Sequence, residues 1–359
     1  MEGPPRNRTA PPATDDLHWC HEAVQGVSRT FALTIDVLDD PMSSYICVGY
    51  LLCRVADTVE DAGHIPADEQ AALLRTYDEV LDPTSPTRID AFLERVEPWL
   101  PPEDERDEDW RVVAEAERVL RAFERQPEPV RAAITPPVRE LVTGMALFVD
   151  RYADEGGLRI QSREELEEYC HYAAGTVGQL ITNLLCRDPE GVSPRTRERL
   201  YGTAESFGLL LQLVNISKDV YDDYREENNV YLPAAWLGER GVAQERVVAE
   251  ENVEDSASVV ERTATHAESF LDDAQTYLES VPETDGNRLA AWAIPYLLAV
   301  GTLRELTERP EDAVTGAGVK ISRPEVSAIV STMLSGAGRA ELSDLRETIT
   351  REPFHQAQV

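Results

Sequence analysis

Residues 50–63 read YLLCRVADTVEDAG and combine an apolar run with carboxylates that a buried helix does not ordinarily tolerate. The apolar residues lead up to Arg54, and Asp57, Glu60 and Asp61 follow within two turns. Like charges four residues apart cost a helix about 0.2–0.5 kcal/mol per pair in water, and partial burial raises that cost. The segment therefore predicts a helix whose acids, the first acid cluster, are held by a positive partner.

A second stretch, residues 208–233, repeats the arrangement as GLLLQLVNISKDVYDDYREENNVYLP. Asn215, Asp219 and Asp223 are spaced by four and share one face of a helix, which Gln212 extends by one turn. An apolar run precedes each cluster, YICVGYLLC before the first and FGLLLQLV before the second. This second acid cluster therefore differs, like the first, from acids on a solvated surface.

Divalent cations are the simplest positive partners for both clusters. Carboxylate and amide oxygens suit a hard ion such as Mg²⁺, for which Mn²⁺ can substitute, and Mg²⁺ also binds phosphate groups. Two facing acid helices with apolar walls predict a pocket for a diphosphate head and a hydrocarbon tail. The cations would neutralise a leaving diphosphate, and a dry cavity would protect the allylic cation. Other acid runs, such as EDERDEDW at residues 103–110, are predicted to be solvated loops.

The overall charge excludes some functions and indicates an environment. The chain has 359 residues with 67 acids against 34 lysines and arginines, a net charge of −33, so nucleic-acid binding is not expected. Lys218 and Lys320 are the only lysines. This composition predicts a protein adapted to high salt, from a halophilic archaeon, because salt screens self-repulsion. The alternative is an ordinary acidic cytosolic protein.

Cysteine use and hydropathy predict a cytoplasmic location. No metal-binding CxxC spacing occurs, and the cysteines are predicted to be reduced and mostly in the core. They are Cys20, Cys47, Cys53, Cys170 and Cys186. No signal peptide or transmembrane anchor is predicted, because the most apolar stretch, residues 289–303, is shorter than the ~20 residues needed and contains a proline.

The pattern of apolar residues is helical along nearly the whole chain and predicts an all-α protein. One segment is doubtful, TFALTIDVL at residues 30–38, which is predicted to be helix or extended loop. No linker separates two patterned halves, so we expect a single domain over residues 15–348. Residues 1–14 are predicted to be disordered, and residues 349–359 to be a flexible tail.

Several motifs in the same order resemble the squalene/phytoene synthase family of all-α prenyl transferases. DTVED and DVYDD resemble the family's two aspartate-rich motifs, SRTFALTI its substrate-binding segment, and YCHYAAGTVG its central signature. AIPYLLAVGTL and GAGVKISRPEV resemble late segments of the squalene synthase branch. The resemblance covers residues 17–335 and implies a helical bundle of the isoprenoid-synthase type with a central apolar cavity.

The resemblance implies an activity and its partners. The reaction would join two farnesyl diphosphates head to head into presqualene diphosphate, which NADPH would then reduce to squalene. The alternative is a phytoene or dehydrosqualene synthase, which shares the ionisation step and lacks the reduction. A helical protein that binds Mg²⁺ or isoprenoid without turnover, or a purely structural bundle, remains open. The protein is expected to be a monomer, with peripheral membrane contact for release of its lipid product.

The resemblance also implies roles for individual residues. The implied metal ligands are Asp57, Glu60, Asp61, Asn215, Asp219 and Asp223, and the four aspartates among them count as catalytic. The implied substrate-binding residues are Ser28, Arg29, Tyr50, Arg54, Gln212 and Asn215. Tyr172 is the catalytic residue expected to handle a proton or to stabilise a cation with its ring. The candidates for binding NADPH are Lys218, Lys320 and Arg323. The segment that contains Lys320 and Arg323 fits an ordinary helix boundary equally well. No GxGxxG nucleotide-binding motif occurs in the sequence.

Two positions depart from the family pattern. Lys218 stands where squalene synthases usually have arginine, which keeps the charge and loses the bidentate fork. Asn228 and Asn229 stand in EENNVYLP, where the family usually carries an arginine ahead of an aromatic residue and a proline. VYLP itself is closer to phytoene synthases, which keeps the choice between the two activities open.

Overall fold

The computed structural model of the chain describes residues 13–357, and these fold into α-helices joined by short turns. The first ten helices are α1 Ala13–Val27, α2 Arg29–Val37, α3 Met42–Glu60, α4 Ala67–Leu81, α5 Ile89–Val96, α6 Glu108–Ala114, α7 Ala116–Glu124, α8 Glu128–Arg151, α9 Arg163–Cys170 and α10 Thr176–Leu185. The next ten are α11 Pro194–Lys218, α12 Val220–Asp222, α13 Ala234–Glu239, α14 Val253–Glu268, α15 Leu271–Ser280, α16 Leu289–Glu308, α17 Asp312–Thr315, α18 Arg323–Leu334, α19 Leu342–Arg351 and α20 Phe354–Ala357.

Shorter elements connect these helices. Two π-helical turns, His171–Gly175 and Asp223–Glu227, lie between α9 and α10 and after α12. The 3-10 turns are Glu97–Trp99, Gln244–Arg246, Glu250–Asn252 and Arg339–Glu341. Within residues 13–357 the β-structure is a single isolated parallel bridge between Arg159 and Val230. The predicted all-α architecture is therefore observed, and the doubtful segment at residues 30–38 is helix α2 with its C-cap.

Serine caps start several helices where the sequence places them. Ser28 accepts a hydrogen bond from the Phe31 amide (3.3 Å), and Ser193 caps α11 in the same way ahead of Pro194. Such caps satisfy amide groups that have no partner in the first turn, and they are worth about 1 kcal/mol each. The beginnings of α2 and α11, which carry candidate site residues, are thus set by local sequence.

Helices α3 and α16 form the centre of the bundle. Nearly all of α3 is buried among α1, α4, α6, α7 and α8, and α16 packs against α2, α11, α14, α18 and α19. The five cysteines are free and buried, which confirms their predicted place in the core. Burial raises the thiol pKa values of Cys20 and Cys47 above their usual range, so these thiols are poorly reactive.

Two helices of the described part, α8 and α16, are long and apolar enough to cross a membrane by length and composition alone. The bundle buries 61% of the apolar window of α8 and 83% of that of α16, as expected of core helices in this fold. Helix α16 is longer than the sequence suggested, because Pro295 lies inside it without ending it. No clear transmembrane anchor is therefore found within residues 13–357.

The C-terminal segment differs from the flexible tail predicted for residues 349–359. Ile349 and Phe354 are buried, in α19 and α20. Arg304 of α16 forms a buried bidentate ion pair with Glu325 and donates to the Ile349 carbonyl oxygen (2.7 Å). Glu325 in turn accepts from the Phe354 amide (3.0 Å). The described part of the tail is thus fixed to α16 and α18.

Of the N-terminal segment predicted to be disordered, residues 1–12 lie outside the described residues, and residues 13–14 begin α1.

Candidate active site

The first acid cluster lies at the C-terminal end of α3. Asp57 keeps 27% of its side chain exposed, Glu60 is 7% exposed, and Asp61 is the residue that caps the helix. The Oε1 atom of Glu60 is buried without a hydrogen-bond partner. Asp57 lies 4.0 Å from the guanidinium of Arg54. The cluster therefore carries more negative charge than its neighbours compensate.

The second acid cluster differs from the single helical stripe that its spacing predicted. Helix α11 ends at Lys218, Asp219 occupies the break, and Asp223 begins a π-helical turn after the short α12. Lys218 forms an ion pair with Asp219. Asn215 is exposed on the last turns of α11. Interrupted helices and π-turns of this kind are frequent at functional sites.

The two acid clusters lie close enough for their charges to act on each other. Burial raises the pKa of Asp223 to about 9, and the charges of Glu227, Asp219 and Asp61 add to the shift. Burial likewise raises the pKa of Asp57 to about 7, opposed by Arg54 and reinforced by Asp61. Carboxyl groups that resist ionisation together in this way form one electrostatic unit, which a divalent cation would neutralise.

Arg54 joins the first cluster to two further groups. Its guanidinium donates to the Tyr50 hydroxyl (Nη2–Oη 2.7 Å), and its Nε lies 3.5 Å from Asp109 Oδ1. Asp109 belongs to α6, which the buried Trp110 anchors against α3. The prediction that residues 103–110 form a solvated loop is therefore wrong at its end. Trp110, following the capping residue Asp107, was the available signal for a packed helix.

The N-terminus of α2 completes this side of the site. The Phe31 ring stacks on the Tyr50 ring with centroids 4.1 Å apart. Burial raises the pKa of the Tyr50 hydroxyl, and the neighbouring Arg54 and Ser28 side chains oppose that rise. Arg29, next to Ser28 in the chain, is exposed. The structure thus brings Ser28, Tyr50 and Arg54 together.

Tyr172 sits on the first π-helical turn and packs closely on α8. A Cβ atom built at Gly144 would lie 2.1 Å from Tyr172 Cγ, so the ring rests directly on that glycine. The Phe148 ring approaches edge-on, with centroids 6.4 Å apart. The hydroxyl of Tyr172 has no hydrogen-bond partner among the described side chains, whereas its neighbour His171 pairs with Glu205 on the outer side. Tyr172 is partly exposed, which suits a group that meets a substrate.

Three residues next to the acid clusters were not predicted to be site residues. Tyr169 and Tyr231 are buried with hydroxyl groups 3.2 Å apart, and Asn229 donates to the Tyr231 hydroxyl (3.2 Å). Burial raises the pKa of Tyr169 well above its usual range, and the charges of Glu60 and Asp61 add to the shift. Tyr169 opens the quoted YCHY motif, but only the folded chain shows its link to Tyr231.

The remaining candidates lie at the edges of the site. Gln212 is partly exposed on α11. A Cβ atom at Gly316 would lie 2.9 Å from the Tyr221 ring, so the segment before α18 packs beside the second acid cluster. Lys320 and Arg323 of that segment are exposed, and no contact joins either side chain to the acids. Lys218 forms an ion pair with Asp219, so the structure does not bring the side chains of Lys218, Lys320 and Arg323 together into one site.

The donor set fits hard divalent cations. The acids supply oxygen ligands only, and the Oε1 atom of Glu60, which has no hydrogen-bond partner, is free to coordinate a cation. Among residues 13–357 no three His, Cys, Asp or Glu side chains converge tightly enough to hold a metal ion by themselves. Mg²⁺ commonly keeps several waters and takes one or two protein carboxylates together with substrate phosphates, so the arrangement remains compatible with it.

Fold and site together define an all-α protein of the isoprenoid-synthase type. The family profile described as squalene/phytoene synthase matches residues 24–325. The chain therefore belongs to the squalene/phytoene synthase family, a family of enzymes, as its motifs indicated.

Curated relatives agree with this assignment. The chain is 27% identical to squalene synthase 1 of Arabidopsis thaliana over 301 residues, and 28% identical to the squalene synthase of Mus musculus over 291 residues. Each match covers 80–81% of this chain and 64% of the relative, so the chain spans about 64% of their length.

The solved structures support the predicted fold. A structure of TcSQS with the ligand BPH1237 superposes with a TM-score of 0.74 at 22% identity, covering 96% of this chain and 100% of that one. A dehydrosqualene synthase with a ligand gives a TM-score of 0.59 at 22% identity, over 90% of this chain and 96% of that one. The predicted isoprenoid-synthase fold is confirmed.

Proposed function

We propose that the protein condenses two farnesyl diphosphates head to head into presqualene diphosphate and reduces this product to squalene with NADPH. The observation that carries the proposal is the pair of acid clusters, from α3 and from the end of α11, whose charges face each other. The similarity to curated squalene synthases supports the choice of reaction.

The site residues divide the first half-reaction between them. Arg54, Ser28 and Arg29 would bind diphosphate oxygens, for which a guanidinium is well shaped. Bound Mg²⁺, held by the acid clusters, would neutralise the diphosphate as the allylic C–O bond breaks. The aromatic faces of Tyr50 and Tyr172 would stabilise the resulting carbocation.

Carbon–carbon bond formation follows from this ionisation. The carbocation would attack the double bond of the second farnesyl diphosphate, and loss of one proton would close the cyclopropane ring of presqualene diphosphate. The unpaired hydroxyl of Tyr172 is the group proposed to accept that proton. Partly exposed apolar side chains, among them Leu33, Val177 and Leu211, would exclude water from the cation.

The reductive half of the reaction needs a hydride donor. A second ionisation and rearrangement would give a cation that accepts hydride from NADPH, which leaves as NADP⁺. Lys320 and Arg323 are exposed in the segment after Gly316, which packs on Tyr221, and with Lys218 they are our candidates for the phosphate groups of NADPH. Monomeric state, cytoplasmic location and peripheral membrane contact stay predictions.

The alternative proposal is a phytoene or dehydrosqualene synthase, which would stop before reduction. The observation that favours it is the VYLP segment, closer to phytoene synthases, with Asn229 and Tyr231 built into the site.

Product analysis distinguishes the two proposals. Purified protein is incubated with Mg²⁺ and either farnesyl or geranylgeranyl diphosphate, with and without NADPH, and the hydrocarbons are identified by gas chromatography. We expect squalene from farnesyl diphosphate with NADPH, and presqualene diphosphate, dehydrosqualene or hydroxylated products without it. A C40 product, or a C30 product unchanged by NADPH, would overturn the choice. A reaction with EDTA in place of Mg²⁺ is the control.

A further inference from the structure

Glu227 extends the second acid cluster by one turn. It ends the π-helical turn Asp223–Glu227 and is partly buried. Its backbone carbonyl oxygen lies 3.8 Å from a Cβ atom built at Gly63, just past the first acid cluster. Burial and the charge of Asp61 raise the pKa of Glu227 to about 8. Glu227 therefore stands where the two clusters meet. It continues the spacing of four from Asp219 and Asp223, although it was not among the predicted ligands.

Asn229 holds this carboxylate in place. Its side chain is 5% exposed and fully hydrogen-bonded. Oδ1 accepts from the Leu158 amide (2.8 Å), and Nδ2 donates to Glu227 Oε2 and to the Tyr231 hydroxyl, both at 3.2 Å. The Leu158 amide can only donate, so it fixes which end of the Asn229 amide faces Glu227.

The backbone around Asn229 is itself anchored. Its amide donates to the Asp223 carbonyl oxygen (3.0 Å), which closes the π-turn. Val230 and residues 158–160 exchange two backbone hydrogen bonds, of 2.9 and 3.1 Å. Arg159, only 6% exposed, binds the backbone and side-chain oxygens of Asn228, which adopts a left-handed φ of 59°. The asparagine pair that departs from the family pattern thus forms a rigid support under the site.

A separate observation points to a ligand at this place. Only 7% of Glu60 is exposed to solvent, and its Oε1 atom has no hydrogen-bond partner. A buried carboxylate oxygen without a donor is costly unless a cation occupies the space in front of it.

We propose that Glu227 is a further cation-binding carboxylate of this site and that Asn229 is the positioning residue that orients it. The inference rests on the proposed function, because it assigns residues to the divalent cation of that reaction. It explains why asparagine replaces the usual arginine here: an amide can serve Leu158 and Glu227 at once, whereas an arginine cannot accept a hydrogen bond.

Binding of Mn²⁺ without substrate tests the assignment, measured by electron paramagnetic resonance. Glu227→Gln and Asn229→Ala should each weaken the Mn²⁺ affinity about tenfold, within the range known for supporting groups of metal sites. Glu226→Gln, an exposed neighbour, is the matched control and should stay within about twofold. The double variant should bind no more weakly than the weaker single variant, because Asn229 acts through Glu227.

The outcomes separate this inference from the proposed function. If the wild-type protein binds Mn²⁺ and Glu227→Gln binds it as well as Glu226→Gln does, the inference is overturned and the proposed function stands. If the effects of Glu227→Gln and Asn229→Ala add, Asn229 is structural and its positioning role is overturned. If the wild-type protein binds no Mn²⁺ either alone or with inorganic diphosphate present, the cation site of the proposed function fails as well. Asn229→Ser is the second variant if Asn229→Ala does not fold, with the same expected result.

Discussion

Two tyrosines three residues apart, Tyr169 and Tyr172, meet opposite surroundings. Tyr169 is buried, and its hydroxyl is paired with that of Tyr231. Tyr172 is partly exposed and rests on Gly144 with its hydroxyl unpaired among the described residues. Buried hydroxyls are normally hydrogen-bonded for stability, whereas an unpaired one facing a site is available for chemistry.

This contrast predicts separate effects for two conservative variants. Tyr172→Phe should lower turnover by about 100-fold or more, the usual range for a lost proton-transfer group, with the unfolding free energy changed by less than about 0.5 kcal/mol. Tyr169→Phe should cost about 1 kcal/mol of stability through its lost hydrogen bond and leave most of the turnover. Diphosphate release and urea unfolding measure the two effects. Near-native turnover in Tyr172→Phe would remove that residue from the mechanism.

At the scale of elements, both π-helical turns carry candidate site residues. His171–Gly175 holds Tyr172, and Asp223–Glu227 begins and ends with a carboxylate of the site. A π-turn inserts an extra residue into a helix and turns the following side chains to a new direction. A residue spacing of four predicted one helical face for Asn215, Asp219 and Asp223, and Glu227 fits the same spacing, but the spacing did not predict the break after Lys218.

The contact between α8 and the first π-turn can be tested at Gly144. A Cβ atom there would lie 2.1 Å from the Tyr172 ring, so Gly144→Ala should displace that ring, lower turnover at least about tenfold and cost about 1–3 kcal/mol by overpacking. Gly202→Ala is the matched control, because no atom lies within 4 Å of its Cβ. That control should gain about 0.5–1 kcal/mol in helix α11. If Gly144→Ala and Gly202→Ala have the same Tm and the same turnover, the packing of Tyr172 on Gly144 is contradicted.

Local sequence predicted helices better than it predicted their distant contacts. The helix that carries the first acid cluster and ends at Glu60 was predictable because apolar runs and charge spacing are local features. The order of residues 349–357 was not, because it depends on the buried pair of Arg304 and Glu325, which are 21 residues apart. Asp109 was missed for the same reason: its partner Arg54 is distant in the chain.

For the whole molecule, the net charge of −33 predicts a dependence on salt. Self-repulsion among the surface acids is screened when the Debye length shortens to about 3 Å near 1 M salt. Helical circular dichroism and activity should therefore decrease in dilute buffer and recover in molar KCl. An equal response from low to high salt would contradict the predicted salt adaptation and leave the family assignment unaffected.

The clustered acids predict a pH dependence of stability without divalent cations. Their folded pKa values, about 7 for Asp57 and about 9 for Asp223, lie above the ordinary aspartate value near ~4. At pH values above the ordinary aspartate pKa and below the raised folded pKa values, the folded state binds more protons than the unfolded chain. The unfolding free energy therefore falls as pH rises through this range. In EDTA and molar KCl the Tm should decrease from pH 6 to pH 9, and Mg²⁺ should restore it.

The matched variant for this effect is Asp223→Asn, which removes one of the raised groups. Its Tm in EDTA should depend less on pH than that of the wild-type protein, because an amide binds no proton in this range. A Tm that rises with pH in EDTA would show that the acids do not share one buried site.

The measurement that tests the central claim most directly is Mg²⁺-dependent diphosphate release from farnesyl diphosphate by variants of each cluster. Asp57→Asn and Asp219→Asn keep the side-chain shape, relieve like-charge repulsion and remove one cation ligand each. Each should lower release at least about 100-fold with circular dichroism unchanged. Asp222→Asn, an exposed acid of the same DVYDD motif, should behave as the wild-type protein does. Near-native release by Asp57→Asn or Asp219→Asn at ordinary Mg²⁺ would contradict the account of two acid clusters acting as one site.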